Sequence, residues 1–476
     1  MTPRLRTLAL LIPLALGGCA LGPDFLRPKV ETPTAFKQID PKLAGEWKEA
    51  AASPATPASW WRLFEDPVLD DLIAQIDLNN QNLKIAEARY RSARAGLDTA
   101  RSSFFPRLDG DLSASRGTAA NATTGGSRPV ANSYALTAAA TWEIDLWGRI
   151  RRSVEAADAK AEASAADLAA ARLSLQALLT QTYFQLRSAD AQIAVLERSV
   201  AGNQRFLKLT QNRREAGVAS PLDVAQAETQ LGNAQTQLLE VQSQRAQYEH
   251  ALATLVGKPP AALSIATAPF KANLPATPPL IPSTLLEARP DIIAAERRVA
   301  AANAGIGIAK AAFFPVLSLG ASGGYRSSSW ANLLDLPNRV WSLGPALALA
   351  LFDGGARSAA VKQADAAYDE AVASYRQTVL TAFQEVEDNL ASSRQLTQEA
   401  QTQGAALAAA RRAREIAENQ YAAGISSALN VITAQSAELS AELNAFAIQN
   451  RRLAAATTLL KNAGGQMPQA EGQLRP

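Results

Sequence analysis

One short stretch occurs twice in this chain, and the repeat limits the folds open to it. It reads Ala216-Gly217-Val218-Ala219-Ser220-Pro221-Leu222-Asp223-Val224 and returns as Ala423-Gly424-Ile425-Ser426-Ser427-Ala428-Leu429-Asn430-Val431. The two glycines stand 207 residues apart (424 − 217) in a chain of 476 residues. Each copy parts two long segments rich in Ala, Gln and Leu. Glycine accepts the positive φ that closes a helix, and serine is a good N-cap for the next one. Each copy therefore predicts the tip of an antiparallel helical hairpin. The chain reads as two copies of one elongated unit.

Ahead of the first copy, the N-terminus has the pattern of a targeting segment. Arg4 and Arg6 precede an apolar run from Leu8 to Leu16, and residues 1–18 read as a signal peptide. The run ends in Leu16-Gly17-Gly18-Cys19, which resembles a bacterial lipoprotein box. That resemblance implies cleavage before Cys19 and a lipid on it; the alternative is an ordinary signal peptide with an incidental cysteine. Ala20 beside Cys19, in place of aspartate, resembles an outer-membrane sorting signal. Cys19 is the only cysteine, so no disulfide forms within the chain. Beyond it no run of about 18 apolar residues occurs, so any crossing of a bilayer falls to strands. The formal charge is +3 with no basic block, which excludes nucleic acid as an implied partner.

Residues 19–66 form a Pro-rich arm, ending at Trp60, Trp61 and Phe64, where the chain docks. The first repeat spans 67–257 and the second 290–464, with a Pro-rich connector at 258–289 and a polar tail at 465–476. In the first repeat a helix is predicted from Pro67 to Phe105, ending at Phe104-Phe105-Pro106; Phe313-Phe314-Pro315 ends its counterpart. Alternating segments follow. Leu108, Gly110, Leu112 and Ala114 share one face, and so do Tyr134, Leu136, Ala138, Ala140, Trp142 and Ile144. In the second repeat the same face carries Leu317, Leu319 and Ala321, then Trp341, Leu343, Leu347, Leu349 and Leu351. Period two with one apolar and one small or polar face fits a sandwich or a membrane barrel, and aromatics at the strand ends favour the barrel.

The long segments come next. From Arg149 to Glu215 there is no proline, which allows about 100 Å of helix. Leu179, Leu186, Ile193, Val200 and Leu207 recur every seventh residue, as do Ile432, Leu439, Phe446, Leu453 and Leu460. Heptad spacing predicts coiled-coil-like packing. The fold class is therefore α+β, internally duplicated, with four strands per chain. Four strands cannot close a barrel, and an open edge cannot face lipid. The barrel must be shared among chains, as must the heptad faces.

Several segments together resemble a known family. Leu351-Phe352-Asp353-Gly354-Gly355-Ala356-Arg357, Ala288-Arg289-Pro290-Asp291-Ile292, Phe313-Phe314-Pro315 and Tyr421-Ala422-Ala423-Gly424-Ile425 are similar to TolC/OprM-type outer-membrane efflux proteins. The lipoprotein box with Trp60-Trp61-Arg62-Leu63-Phe64-Glu65-Asp66-Pro67 resembles the NodT-type branch. The resemblance implies a homotrimer with a shared twelve-stranded barrel and an α-helical barrel in the periplasm. It implies a passive outer-membrane conduit, served by a periplasmic adaptor and an inner-membrane pump, with no enzyme activity, cofactor or metal. A protein-secretion channel and a lipid-tethered coiled coil that conducts nothing are the alternatives; the amphipathic strands argue against the second. His250, the only histidine, falls in a helical heptad region and reads as structural.

The same resemblance assigns the tips. Gly217, Val218 and Ser220, with Gly424, Ile425 and Ser427, are implied adaptor contacts. Asp223 and Tyr421 match an aspartate and a tyrosine that latch the tip in relatives. Asn430 and Thr433 match two acidic positions, and neither can ionise. A ring of carboxylates attracts cations where dipoles do not, so a weak cation preference is expected at this tip.

Overall fold

The computed structural model describes residues 20–33, 36–37, 59–118, 130–270, 273–275, 285–286 and 288–464. The signal segment with Cys19, about half of the arm, part of the connector and the tail lie outside these residues. The elements run α1 (Pro67–Asn79), α2 (Gln81–Ser102), β1 (Arg107–Thr118), β2 (Val130–Ile144), α3 (Arg149–Glu215) and α4 (Pro221–Leu255). The second repeat gives α5 (Pro290–Ala311), β3 (Val316–Ser327), β4 (Arg339–Ala348), α6 (Ala356–Ala422) and α7 (Ala428–Asn462). Contacts divide the chain into two units, each drawing on both repeats. None of the helices among the described residues is long and apolar enough to cross a membrane.

The first unit comprises the residues up to Lys29, Ala88–Ala166 and Ala294–Gln377. Its centre is one antiparallel sheet in the order β1-β2-β3-β4. Register aligns the faces across all four strands. Leu108 pairs with Ala140, Ala140 with Ala321, and Ala321 with Leu343. One face thus collects Leu108, Leu112, Leu136, Trp142, Leu319, Trp341, Leu343 and Leu347. The other carries Asp109, Asp111, Thr137, Glu143, Ser322 and Ser342. Leu108, Trp341 and Leu343 are 74%, 73% and 66% exposed, so the apolar face is left uncovered among the described residues. A sandwich would bury that face. β4 ends at Ala348, paired with Val316, so Leu349 and Leu351 fall outside the strand, contrary to the sequence expectation. Their alternation continues past the point where a partner strand exists.

Both strand-to-helix junctions are built alike. The Asp145 carboxylate accepts from the N–H groups of Ile150 (3.0 Å) and Arg151 (2.8 Å), capping α3. Asp353 accepts from Gly355 (3.0 Å) and Arg357 (3.2 Å), capping α6, and also takes the Arg357 Nε at 2.6 Å. Carboxylates at helix N-termini satisfy donors that lack intrahelical partners. Trp142 and Trp147 donate their indole N–H to the carbonyls of Phe104 (2.9 Å) and Pro315 (2.8 Å). The aromatic pairs before each proline therefore mark the junction of helix and sheet.

The start of the described chain is tied to this unit. Leu21 N–H donates to the Trp147 carbonyl at 3.1 Å. The buried Arg152 guanidinium binds the carbonyls of Leu21 and Gly22 and the Asp24 carboxylate. A Cβ on Gly307 would lie 2.7 Å from the Leu21 carbonyl oxygen, so only glycine lets the segment approach α5 this closely.

The second unit comprises Val30–Glu87, Asp167–Ile293 and Thr378 onward. Its core joins Trp60, Phe64, Leu69, Ile73, Tyr183, Phe184, Leu252 and Leu453. Of the heptad residues, Leu179, Leu186, Leu453 and Leu460 are buried, while Ile193, Val200, Leu207, Ile432, Leu439 and Phe446 are half-buried. That partial exposure leaves room for neighbouring chains. The helix expected from Pro67 to Phe105 is two helices, broken at Asn80 and ending at Ser102. Asn80 takes an extended backbone, accepts from Leu83 N–H at 2.9 Å and donates to the Leu255 carbonyl at 2.7 Å. It caps α2 and fastens it to the end of α4. Gly257 and Gly464 end α4 and α7 with φ of 72° and 71°. A Cβ on either would overlap a backbone carbonyl, of Asn79 and of Ala288 respectively.

Charges fasten the connector. Asp190 accepts from Arg187 (3.1 Å) and Arg245 (2.7 Å), and these arginines donate to the carbonyls of Ala266 and Ile265. Burial, and then the hydrogen bond to Asp66, pushes the Tyr183 phenol well above its ordinary value. Arg289 binds Asp291 at 2.7 Å and Glu385 at 2.9 Å. Burial acts to raise the Asp291 carboxyl, but the Arg289 hydrogen bond and charge outweigh it and hold the group below its usual range.

Candidate functional site

The two hairpin tips lie in the second unit and share one backbone plan. α3 ends with Gly217 at φ 74°, its N–H bound to the Arg214 carbonyl and the Val218 N–H to that of Arg213. α6 ends with Gly424 at φ 77°, with Gly424 N–H on Tyr421 and Ile425 N–H on Gln420. This paired pattern closes a helix on a left-handed residue. The starts of the following helices differ. Ser220 forms a capping box with Asp223, each side chain bound to the other's backbone N–H. Ser427 has the same extended backbone but makes no cap bond with its side chain. Instead Asn430 donates to the Ser426 hydroxyl at 3.0 Å.

Side chains at the turns point outward. Val218 is 73% and Ile425 78% exposed. Leu222 and Leu429, 64% and 53% exposed, join them, and sequence reasoning does not single these two out. The signal present in the sequence is that each leucine follows its exposed apolar tip residue by four, as the second residue of the next helix. Each tip thus presents a pair of apolar knobs on a neutral turn.

Behind the turns the tips pack together. Phe206, Ala227, Tyr421, Ala428 and Val431 form a small buried cluster. Tyr421 and Asp223 are not hydrogen-bonded to each other within the chain. The Asp223 carboxylate accepts from the Ser220 N–H and hydroxyl, both at 2.8 Å. The Tyr421 hydroxyl lies 3.3 Å from Thr210 Oγ1. Thr433 donates to the Leu429 carbonyl one turn back, at 2.8 Å. The four expected gate residues therefore stand at the tips, with Tyr421 buried and the other three at the surface or partly exposed. His250 is exposed on α4.

Comparison with known proteins agrees along nearly the whole chain. A family model described as outer membrane efflux protein matches residues 72–258 and 281–465. The outer membrane protein OprJ of Pseudomonas aeruginosa is 33% identical over 97% of this chain and 96% of its own length. TtgC of Pseudomonas putida, described as a probable efflux pump outer membrane protein, is 32% identical over 99% of this chain and 98% of its own. The solved structure of the outer-membrane channel OprN matches with a TM-score of 0.85 at 31% identity, covering 94% of this chain and 99% of that one.

Proposed function

The chain belongs to the outer membrane efflux protein family, and from that premise we propose that three copies close one passive channel fed by a periplasmic adaptor and an inner-membrane pump. The protein is an outer-membrane efflux channel. The observation that carries the proposed assembly is the sheet: four aligned strands with an exposed apolar face and two edges, β1 and β4. Edges cannot be left open in lipid. Pairing β1 of one copy with β4 of the next removes every edge, and three copies give twelve strands. The conduit needs no catalytic group; the energy comes from the pump.

The adaptor docks on the tips. Val218, Leu222, Ile425 and Leu429 offer apolar contact at turns free of charge repulsion. Placing a carboxylate there, by Val218→Asp with Ile425→Asp, is expected to abolish most efflux while leaving the assembled channel in the outer membrane. Drug susceptibility of a strain lacking its own channel, complemented by each form, reads the first; heat-stable oligomer on a gel reads the second. Full resistance from the double variant would count against docking at these turns.

Cys19 carries the lipid. It directly precedes Ala20, which lies so close to Gly148 that a Cβ there would come within 2.8 Å of the Ala20 Cα. Gly148 follows β2 at the strand-to-helix junction, where an acyl group would meet the membrane surface. Intact mass of the purified protein should show acyl chains on wild type and none on Cys19→Ser; an unacylated wild type would refute the assignment.

A further inference from the structure

The two copies of the repeat are not equivalent where their tips meet. Thr210 and Arg213 on α3 correspond, 207 residues on, to Ala417 and Gln420, while Tyr421 on α6 corresponds to Arg214. The three side chains without a counterpart come together. The Arg213 guanidinium lies 4.3 Å from the centroid of the Tyr421 ring. It also donates to the carbonyl of Ala422, the last residue of α6, at 3.0 Å. Phe206 packs on the same ring, 5.3 Å between centroids.

The hydroxyl proton can be placed. Thr210 Oγ1 donates to the Phe206 carbonyl at 2.9 Å, so its single proton is committed. Toward Tyr421 it acts as acceptor, and the phenol is the donor. Tyrosine has one proton to give, and here it goes to α3. Asp223, meanwhile, is held in the capping box by Ser220. Both Ser220 contacts fall on Asp223 Oδ2, so an Asp223–Tyr421 bond would require the Tyr421 hydroxyl to leave Thr210.

We propose that Arg213, Thr210 and Tyr421 weld the two tips of one chain into a single body, in place of an Asp223–Tyr421 latch, so that the channel mouth opens between chains. The residues act by position, through a cation over an aromatic face, two hydrogen bonds and a buried ring. Cation–π contact of this kind holds surfaces together without a carboxylate.

Distance measurement between spin labels tests it. Labels at Val218→Cys and Ile425→Cys, in a Cys19→Ser background, report the separation of the tips of one chain. Sparse labelling, by co-expression with unlabelled chains, keeps one pair per assembly. The parent should give one narrow distance. Arg213→Ala and Tyr421→Leu should each broaden it and raise the separated population roughly tenfold. Arg213→Lys, which keeps the charge but not the planar stacking, should fall between, and Asp223→Asn should change nothing. Should Tyr421→Leu fail to assemble, the half-exposed Arg213 carries the test. An unchanged distance in Arg213→Ala, or broadening by Asp223→Asn equal to that of Arg213→Ala, overturns the weld. The weld rests on the channel reading for its consequence. A single-chain particle contradicts that reading, whereas an unbroadened distance in an intact assembly contradicts the weld alone.

Discussion

Asp190→Ala is expected to cost about 3–5 kcal/mol of stability. The Asp190 side chain is 2% exposed, and it is the shared acceptor of Arg187 and Arg245, themselves 7% and 15% exposed. The Ala268 N–H points at the same carboxylate, 3.4 Å away. Removing the acid leaves two enclosed guanidiniums with less compensation; Arg245 keeps only Glu249, at 3.3 Å, as an anionic partner. Unpaired buried charge is the expensive outcome, more than the pair is worth when intact. It also loosens the connector, whose carbonyls at Ile265 and Ala266 are held by the same arginines. The melting temperature of the detergent-extracted protein and its amount in the outer membrane should both fall. Arg451→Ala provides the contrast. Its bridge to Glu399 has both side chains about half exposed, 57% and 46%, and should be worth less than about 1 kcal/mol. Equal losses from the two variants would mean that enclosure is not what gives the Asp190 cluster its weight.

The second large effect separates neighbours one residue apart. Leu343 sits mid-strand in β4 on the apolar face, and Ser342 faces the other way, its hydroxyl 2.8 Å from that of Ser322. If the apolar face meets lipid, Leu343→Arg should cost about 2–4 kcal/mol per copy, and every copy carries it. Outer-membrane insertion should largely fail. Ser342→Arg places the same group in the lumen, where water solvates it. That variant should assemble and alter only conductance. Flotation of membranes and heat-stable oligomer on gels read both. Assembly of Leu343→Arg together with failure of Ser342→Arg would reverse the assigned faces.

Much of this fold is legible in the sequence, because its rules are local. Strand parity identifies the apolar face from Leu108 to Leu347, and the register then superposes the four faces. Gly148 and the tip at Gly217 bracket a proline-free run in which the helix read from Arg149 to about Glu215 is found. Gly217 and Gly424 announce the tips through the φ that only glycine adopts freely. What escapes is set by distant partners. Asn80 looks like one more helical residue until the Leu255 carbonyl, 175 residues away, claims its amide. The Asp190 cluster joins charges of α3 and α4 to backbone groups of the connector, a meeting that no spacing reveals. Leu349 and Leu351 keep the alternation of a strand but lack a partner opposite. At the tips, Tyr421 matches a latch position, yet Thr210 and Arg213 hold it because the repeats have diverged just there.

A channel shared among chains has a direct measure in the mass of the detergent-solubilised protein. Light scattering corrected for bound detergent counts chains without labels or variants. Three chains per particle, stable on dilution, is the expected result, because neither the β1 and β4 edges nor the half-buried heptad faces are satisfied by one. A monodisperse single chain that still folds and inserts would contradict the shared barrel.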